Sequence, residues 1–453
     1  MQHCTPGVGR LLAGLAVIVA AGRLVAPVSA QQQIGTSENT GIPFTTTHKD
    51  RYEALREYKT VPDAAKDKAL LEVAGRYLVG RVTWPGYQKW DSSLKDVYDE
   101  FNKLMDSPAT KKGTNQEFMK LLAPELIANF SKILLDPDSH ARDFKNHQAT
   151  VTNAALLLPV LAKCKQNAVH EFLLKLVETD KDGKPVVHPF IRMCAIKAMG
   201  ELNNPGGPEL DSKDNFQQQE KKRDRELARL EAIVKFIDQP YPPEGTGAEY
   251  DNAYRYVRRE GVKALAQLRK PIYEIKKGTF AGPVAFHLLK IASGSPAAVG
   301  PPYSLSERLE AVIGIAQLET AGVKIYNNEL AVYVVANVLI DMASAYGEDF
   351  PIFSAVPKGK DGPQAILPWK YYAGALEEVL PVMSASLKNT PAAKSLDEKV
   401  RTNIKDVMAQ MKVLRKIESP QVLQTFVANN PPAVNEVYLG NKDSALPLGQ
   451  VAK

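Results

Sequence analysis

Arg192-Met193-Cys194-Ala195-Ile196-Lys197-Ala198-Met199-Gly200-Glu201-Leu202 recurs as Arg258 through Leu268 and again as Arg308 through Leu318. The three copies share the wording R-x-x-[AG]-[IV]-x-[AG]-h-[GA]-[EQ]-L, with h apolar. Counted from the Arg, the third, fourth, seventh and eighth following residues form one helix face. It carries Ala195, Ile196, Met199 and Gly200, then Gly261, Val262, Leu265 and Ala266, then Ala311, Val312, Ile315 and Ala316. Small side chains let a neighbouring helix approach closely, and the large ones fill the grooves between. A repeated helical unit too small to bury its own apolar face is the signature of a stacked α-solenoid.

With its lead-in, the first copy reads Pro189-Phe190-Ile191-Arg192 and then the small-rich apolar run. This wording resembles the HEAT-repeat family, whose second helix in each pair has a Pro or Asp, an apolar residue, an Arg and such a run. The second copy has Val257-Arg258 without the Pro, and the third has Glu307-Arg308 where the family places an apolar residue before the Arg. The resemblance implies that this Arg helps fix repeat to repeat, a role carried here to Arg192, Arg258 and Arg308 only. The copies lie 66 and 50 residues apart, longer than the roughly 40 to 47 of the regular repeat, so insertions separate them. The fold class expected is all-α, an irregular α-solenoid of stacked antiparallel helix pairs over residues 49–428, clearest at 188–318 and of the exported bacterial HEAT-like type. The alternative is a large helical bundle with small-residue contacts.

Residues 1–30 read as a signal peptide: Arg10 is the basic n-region, Leu11 to Ala21 the apolar core, and Val28-Ser29-Ala30 the small-residue cleavage site. Arg23 follows the core, which is too short to span a bilayer, so a retained anchor is the lesser reading. Export to a periplasm or the extracellular space is therefore expected, with no membrane span after cleavage. Removing residues 1–30 leaves 55 basic against 51 acidic residues, a net charge of +4. That is far from the strong basic field of a nucleic-acid binder, so no nucleic-acid partner is expected. The mature chain keeps Cys164 and Cys194, which an oxidising compartment would allow to bridge or which pack as small apolar residues.

Residues 31–48 read as a polar leader and 429–453, with Pro431-Pro432 and Pro447, as an extended C-terminal tail. Phe216 to Asp238 is predicted to be a long charged helix with one apolar stripe, and Leu330 to Ala345 a buried central helix. Tyr346 to Pro368, with Gly347, Pro351, Pro357, Gly359, Gly362 and Pro363, reads as the longest break in the helical region. Arg401 to Met411 resembles a worn fourth copy.

No catalytic motif is present: there is no H-E-x-x-H, G-x-S-x-G, phosphate-binding glycine loop or C-x-x-C-H. Ser92-Ser93-Leu94-Lys95 has an S-x-x-K spacing that helix capping explains equally well. Asp136, Asp138 and His140 are weak metal-ligand candidates, better read as capping residues of an inter-helix loop, because EF-hand spacing is missing. Asp180-Lys181-Asp182-Gly183 reads as a turn for the same reason. The chain is therefore expected not to be an enzyme and to need no cofactor. Trp84, Tyr87 and Trp90, close together in one loop, and Trp369 with Tyr371, after the long break, are aromatic candidates for partner binding. An exported scaffold holding a protein partner is the function expected. The alternatives are an envelope carbohydrate binder using the same rings and an enzyme of unknown chemistry.

Overall fold

The computed structural model describes residues 46–57, 59–82, 92–105, 113–135, 148–202, 216–239, 247–276, 279–354, 366–386, 405, 408–409 and 421–447. Expectations for the signal peptide, most of the leader, Trp84, Tyr87, Trp90, Asp136, Asp138, His140 and nearly all of the fourth copy lie outside these residues. The described chain is mostly helical and divides into two compact units, residues 1–213 and 214–453.

The first unit contains α1 (Thr46–Arg56), α2 (Lys68–Val82), α3 (Ser92–Met105), α4 (Gly113–Leu134), α5 (Gln148–Leu156), α6 (Leu158–Ala162), α7 (Asn167–Val177) and α8 (Pro189–Glu201). α2 crosses α4 at Gly75, where a Cβ would come within 3.0 Å of the Glu125 backbone. Phe101 and Phe130 meet edge to face with centroids 6.3 Å apart in a core shared with Phe118, Leu122 and Ile133. At the start of α2 the buried Asp67 carboxylate accepts from Arg51 Nε and Nη2 at 2.9 and 2.8 Å and from the Asp63 N–H at 2.8 Å. α8 carries the first copy of the phrase. Pro189 opens it with a ring already set for helical φ, and the His188 imidazole accepts from the Phe190 N–H at 3.3 Å. Its face of Ile191, Ala195, Ile196 and Met199 is fully buried against α6 and α7. Cys164 and Cys194 are buried and not bridged, and burial pushes the Cys164 thiol up to about 12. Asp180 Oδ1 closes the predicted turn by accepting from the Asp182 and Lys184 N–H groups at 3.0 and 2.8 Å.

The second unit contains α9 (Phe216–Asp238), α10 (Ala248–Ala266), β1 (Tyr273–Lys276), β2 (Thr279–Ala281), α11 (Val284–Ala292), α12 (Leu305–Ala316), α13 (Asn328–Ser354), α14 (Ile366–Ser386) and α15 (Gln421–Asn429). The second and third copies of the phrase lie on α10 and α12. α10 packs on α12 and α12 on α14, while α9, α11 and α13 lie behind α10 and α12. The small residues of the phrase sit at the closest approaches. A Cβ on Gly261 would meet Ile237 of α9 at 2.9 Å, and one on Gly314 would meet the Ala266 backbone of α10 at 2.7 Å. The stripe of α9 buries Leu230, Ile233, Phe236 and Ile237. α13 is the one described helix long and apolar enough to cross a membrane, and 72% of its most apolar window is buried in the protein, as a core helix requires.

Three features differ from expectation. α13 continues to Ser354, so residues 346–354 of the supposed break are helical, and Ile366 to Pro368 open α14. The punctuation was misleading because Gly347 faces open space and helix continuity there rests on the flanking residues. A short antiparallel hairpin, β1–β2, interrupts the helices, with Tyr273 opposite Ala281 and Glu274 opposite Phe280. The segment read as an extended tail docks instead. The Asn327 amide donates to the Val434 and Glu436 carbonyls at 3.0 and 3.1 Å, the Leu439 N–H donates to the Ile325 carbonyl at 2.8 Å, and the Tyr438 hydroxyl donates to the Pro271 carbonyl at 2.6 Å. Val437, Tyr438 and Leu446 are buried there. Docking through bonds to backbone carbonyls leaves no periodic trace in a sequence.

The two glycines give opposite tests. Gly314→Ala should lower stability by about 1–3 kcal/mol through overpacking, whereas Gly347→Ala should raise it by about 0.5–1 kcal/mol because only helix propensity changes. Urea unfolding of the full chain measures both, and a Gly314→Ala protein as stable as Gly347→Ala would refute the packing account of the phrase.

Candidate functional site

Each phrase Arg has a definite place. The Arg192 guanidinium, 5% exposed, reaches the Val177 carbonyl at the end of α7 at 3.4 Å. Arg308 makes the same kind of contact in the second unit, donating from Nε to the Ala292 carbonyl at the end of α11 at 2.9 Å, and its Nη1 pairs with Asp341 of α13 at 2.8 Å. A cation at a helix C-terminus meets carbonyls that lack partners within the helix. Arg258 instead turns toward the next helix pair. Its Nε and Nη2 bond the Glu307 carboxylate at 2.5 and 3.1 Å, and its Nη1 and Nη2 donate to the Pro301 and Pro302 carbonyls at 2.8 and 3.2 Å. The guanidinium also lies 5.1 Å from the Tyr254 ring centroid and 4.3 Å from that of Tyr303. Glu307 in turn accepts from the Ser304 N–H and hydroxyl, both at 2.7 Å, completing a capping box at the start of α12.

Beside this pair, α10, α12 and α14 bring together a set of polar and aromatic side chains. Glu260 and Glu310 occupy the same position of the phrase, two residues after the Arg, where the first copy has Cys194. Both are buried, at 5% and 2% exposure, and Lys263 Nζ lies 3.1 Å from Glu260 and 3.8 Å from Glu310. From α14, the buried Tyr372 hydroxyl lies 3.2 Å from the Ser306 carbonyl and 3.3 Å from Glu310 Oε1, and the Tyr371 hydroxyl lies 3.5 Å from Glu310 Oε2. Burial holds the Glu310 carboxyl above its ordinary range, opposed by Lys263, Arg259 and the Tyr372 hydrogen bond. The Tyr371 phenol is raised to about 12 by burial and by Glu310.

Over these carboxylates lies a more accessible layer. On α10, Tyr256, Arg259 and Lys263 share a face at helical spacing. Arg259 sits 5.4 Å from the Tyr256 ring centroid, and Lys263 sits 5.8 Å from that of Tyr371. Tyr256 is 39% and Tyr371 51% exposed. Two carboxylates, two cations and two tyrosine hydroxyls thus balance in charge, and they fix two solvent-facing rings on rigid helices.

Of the aromatic candidates, Tyr371 belongs to this site. Trp369 is half-buried, donates its indole N–H to Asp349 Oδ2 at 3.3 Å and meets Tyr346 edge to face at 6.1 Å, so it joins α14 to α13. Tyr256, Glu260, Lys263, Glu310 and Tyr372 were missed. The signal was present in the glutamates, which repeat at one position of the phrase in its second and third copies. Comparison of the chain with family models, with curated proteins and with solved structures returns no match.

The raised Glu310 fixes a sign for pH dependence. A folded state that holds its proton more tightly than the unfolded chain loses stability as pH rises from the ordinary glutamate range through the raised value. Glu310→Gln should therefore be more stable relative to wild type at neutral pH than at the lower end of that window. Urea unfolding of both proteins across the window checks this, and a difference that stays constant or grows on acidification would show that Glu310 is not held above its ordinary range.

Proposed function

We propose that the chain is an exported, non-catalytic scaffold that holds a protein partner on the face formed by α10, α12 and α14. The observation that carries the reading is the exposure of Tyr371 and Tyr256 above a buried polar layer in which Lys263 and the Tyr372 hydroxyl engage Glu260 and Glu310. Rings fixed in this way contribute contact area at little further entropic cost, and Tyr with flanking Arg is the composition of binding hot spots. The finer architectural reading is a HEAT-like α-solenoid. It is supported by the order of packing in the second unit, where α10, α12 and α14 follow one another with α9, α11 and α13 behind, and by the recurrence of the phrase on α8, α10 and α12. In such an array successive second helices offer one extended surface to another macromolecule.

A photo-crosslinking residue placed at Tyr371 in the producing cell should give a discrete protein adduct. Placed at Val61, 71% exposed in the first unit, it should not. Replacing Tyr256 and Tyr371 together by Ala should weaken partner binding at least tenfold, the cost of losing about 1.4 kcal/mol or more, without lowering the melting temperature. Adducts to polysaccharide, equal labelling from both positions, or binding unaffected by the double substitution would each overturn the proposal.

A further inference from the structure

The row of α10 that faces solvent is cationic. From Asn252 to Lys270 the chain has six lysines and arginines and one acid, Glu260, which is buried. Arg258 points inward to Glu307. The ion pairs of α10 among the described residues are that one and those of Lys263 with Glu260 and Glu310, so neither Arg255 nor Arg259 belongs to one. Residues 255, 256, 259 and 263 share one side of the helix. Arg259 lies 5.4 Å from the Tyr256 ring centroid, and Lys263, across the groove to α14, 5.8 Å from that of Tyr371. α14 adds the exposed Lys370 next to Tyr371 and carries no acid before Glu377.

Charge on this face is sorted by depth. Its acids, Glu260, Glu307 and Glu310, are buried, whereas Lys263 is 32% exposed and Lys370 is exposed. Arg259 and Lys263 offset Glu260 and Glu310, and Arg255 and Lys370 remain as a surplus of positive charge at the surface. We infer that the partner docks here through an acidic segment. Its Asp or Glu carboxylates meet Arg255, Arg259 and Lys370, and an apolar or aromatic side chain lies against Tyr256 and Tyr371. This rests on the reading of the face as a partner surface and specifies the chemistry of that partner. The spacing suits an extended segment. Arg255 and Arg259 are about 6 Å apart along the helix axis, and alternate residues of an extended chain are about 6.6 Å apart and point the same way. A guanidinium holds a carboxylate through two parallel bonds, which makes such a row selective as well as attractive. A row of phosphates would place a denser negative charge directly above Glu260 and Glu310, so the surplus favours a few carboxylates over a nucleic acid.

The test titrates the full chain into a fluorescein-labelled copolymer of glutamate and tyrosine and follows anisotropy. The copolymer should bind saturably at low salt and be released as salt rises, and the copolymer of lysine and tyrosine should not bind. Arg255→Gln with Lys370→Gln lies outside the buried layer, so it should leave the melting temperature unchanged and weaken binding about fivefold or more. Lys66→Gln with Lys181→Gln, the same loss of charge on exposed positions of the first unit, should leave binding within about twofold. No binding of the acidic copolymer, equal binding of the basic one, binding of oligo(dT) as tight as that of the acidic copolymer, or equal loss in the two double variants would overturn the inference. The crosslink from Tyr371 keeps it distinguishable from the reading beneath it. A protein adduct attached through an acidic segment supports both. An adduct attached through a neutral or basic segment, or formed while the acidic copolymer fails to bind, removes the acidic segment and leaves the partner face standing. Absence of both adduct and copolymer binding removes both.

Discussion

The second unit depends on the ion pair between Arg258 and Glu307, whose side chains are 2% and 0% exposed. Two opposite charges at that depth stabilise a fold only if almost every donor and acceptor is used, since desolvation otherwise exceeds their attraction. Here Arg258 bonds both carboxylate oxygens and two proline carbonyls, and Glu307 also closes the capping box of α12. One pair therefore joins the middle of α10, the loop at Pro301 and Pro302, and the N-terminus of α12. The relative position of α10 and α12 follows from it, and with that the alignment of Glu260 with Glu310.

The phrase made the helices and their packing legible, because its small residues mark where backbones come closest: Gly261 against α9 and Gly314 against Ala266. It also concealed the main interaction. Glu307 reads as a departure from the HEAT pattern, an acid where an apolar residue belongs, yet it is the residue that Arg258 needs. Only the spacing Ser304-x-x-Glu307 pointed to it, and that spacing indicates a helix start without naming a distant partner. The hairpin and the docked segment around Tyr438 depend on hydrogen bonds to backbone carbonyls, from backbone and side chains alike, which periodicity does not report. Gly347 acted as false punctuation because a glycine in a helix and a glycine in a loop look alike in sequence.

The candidate site was legible in part. Tyr371 was singled out for its aromatic surroundings, and its neighbour Trp369 bonds Asp349 and meets Tyr346. The polar layer below was hidden because two glutamates on small-rich helices read as solvated positions. Glu310 is held under α14, which brings it the Tyr371 and Tyr372 hydroxyls. Contacts between helices distant in sequence decide whether a charge is solvated or held, and such contacts have no local signature.

The most direct measurement is a double-mutant cycle on Arg258 and Glu307 by urea unfolding of the full chain. Glu307→Gln preserves the capping geometry while removing the charge, and Arg258→Met keeps much of the apolar stem. Each single substitution should cost about 3–5 kcal/mol, because it strands the other charge. The double variant should cost less than the sum of the two, with a coupling of about 2–3 kcal/mol. Costs that add to within about 0.5 kcal/mol would contradict the claim that this pair holds α10 and α12 in register.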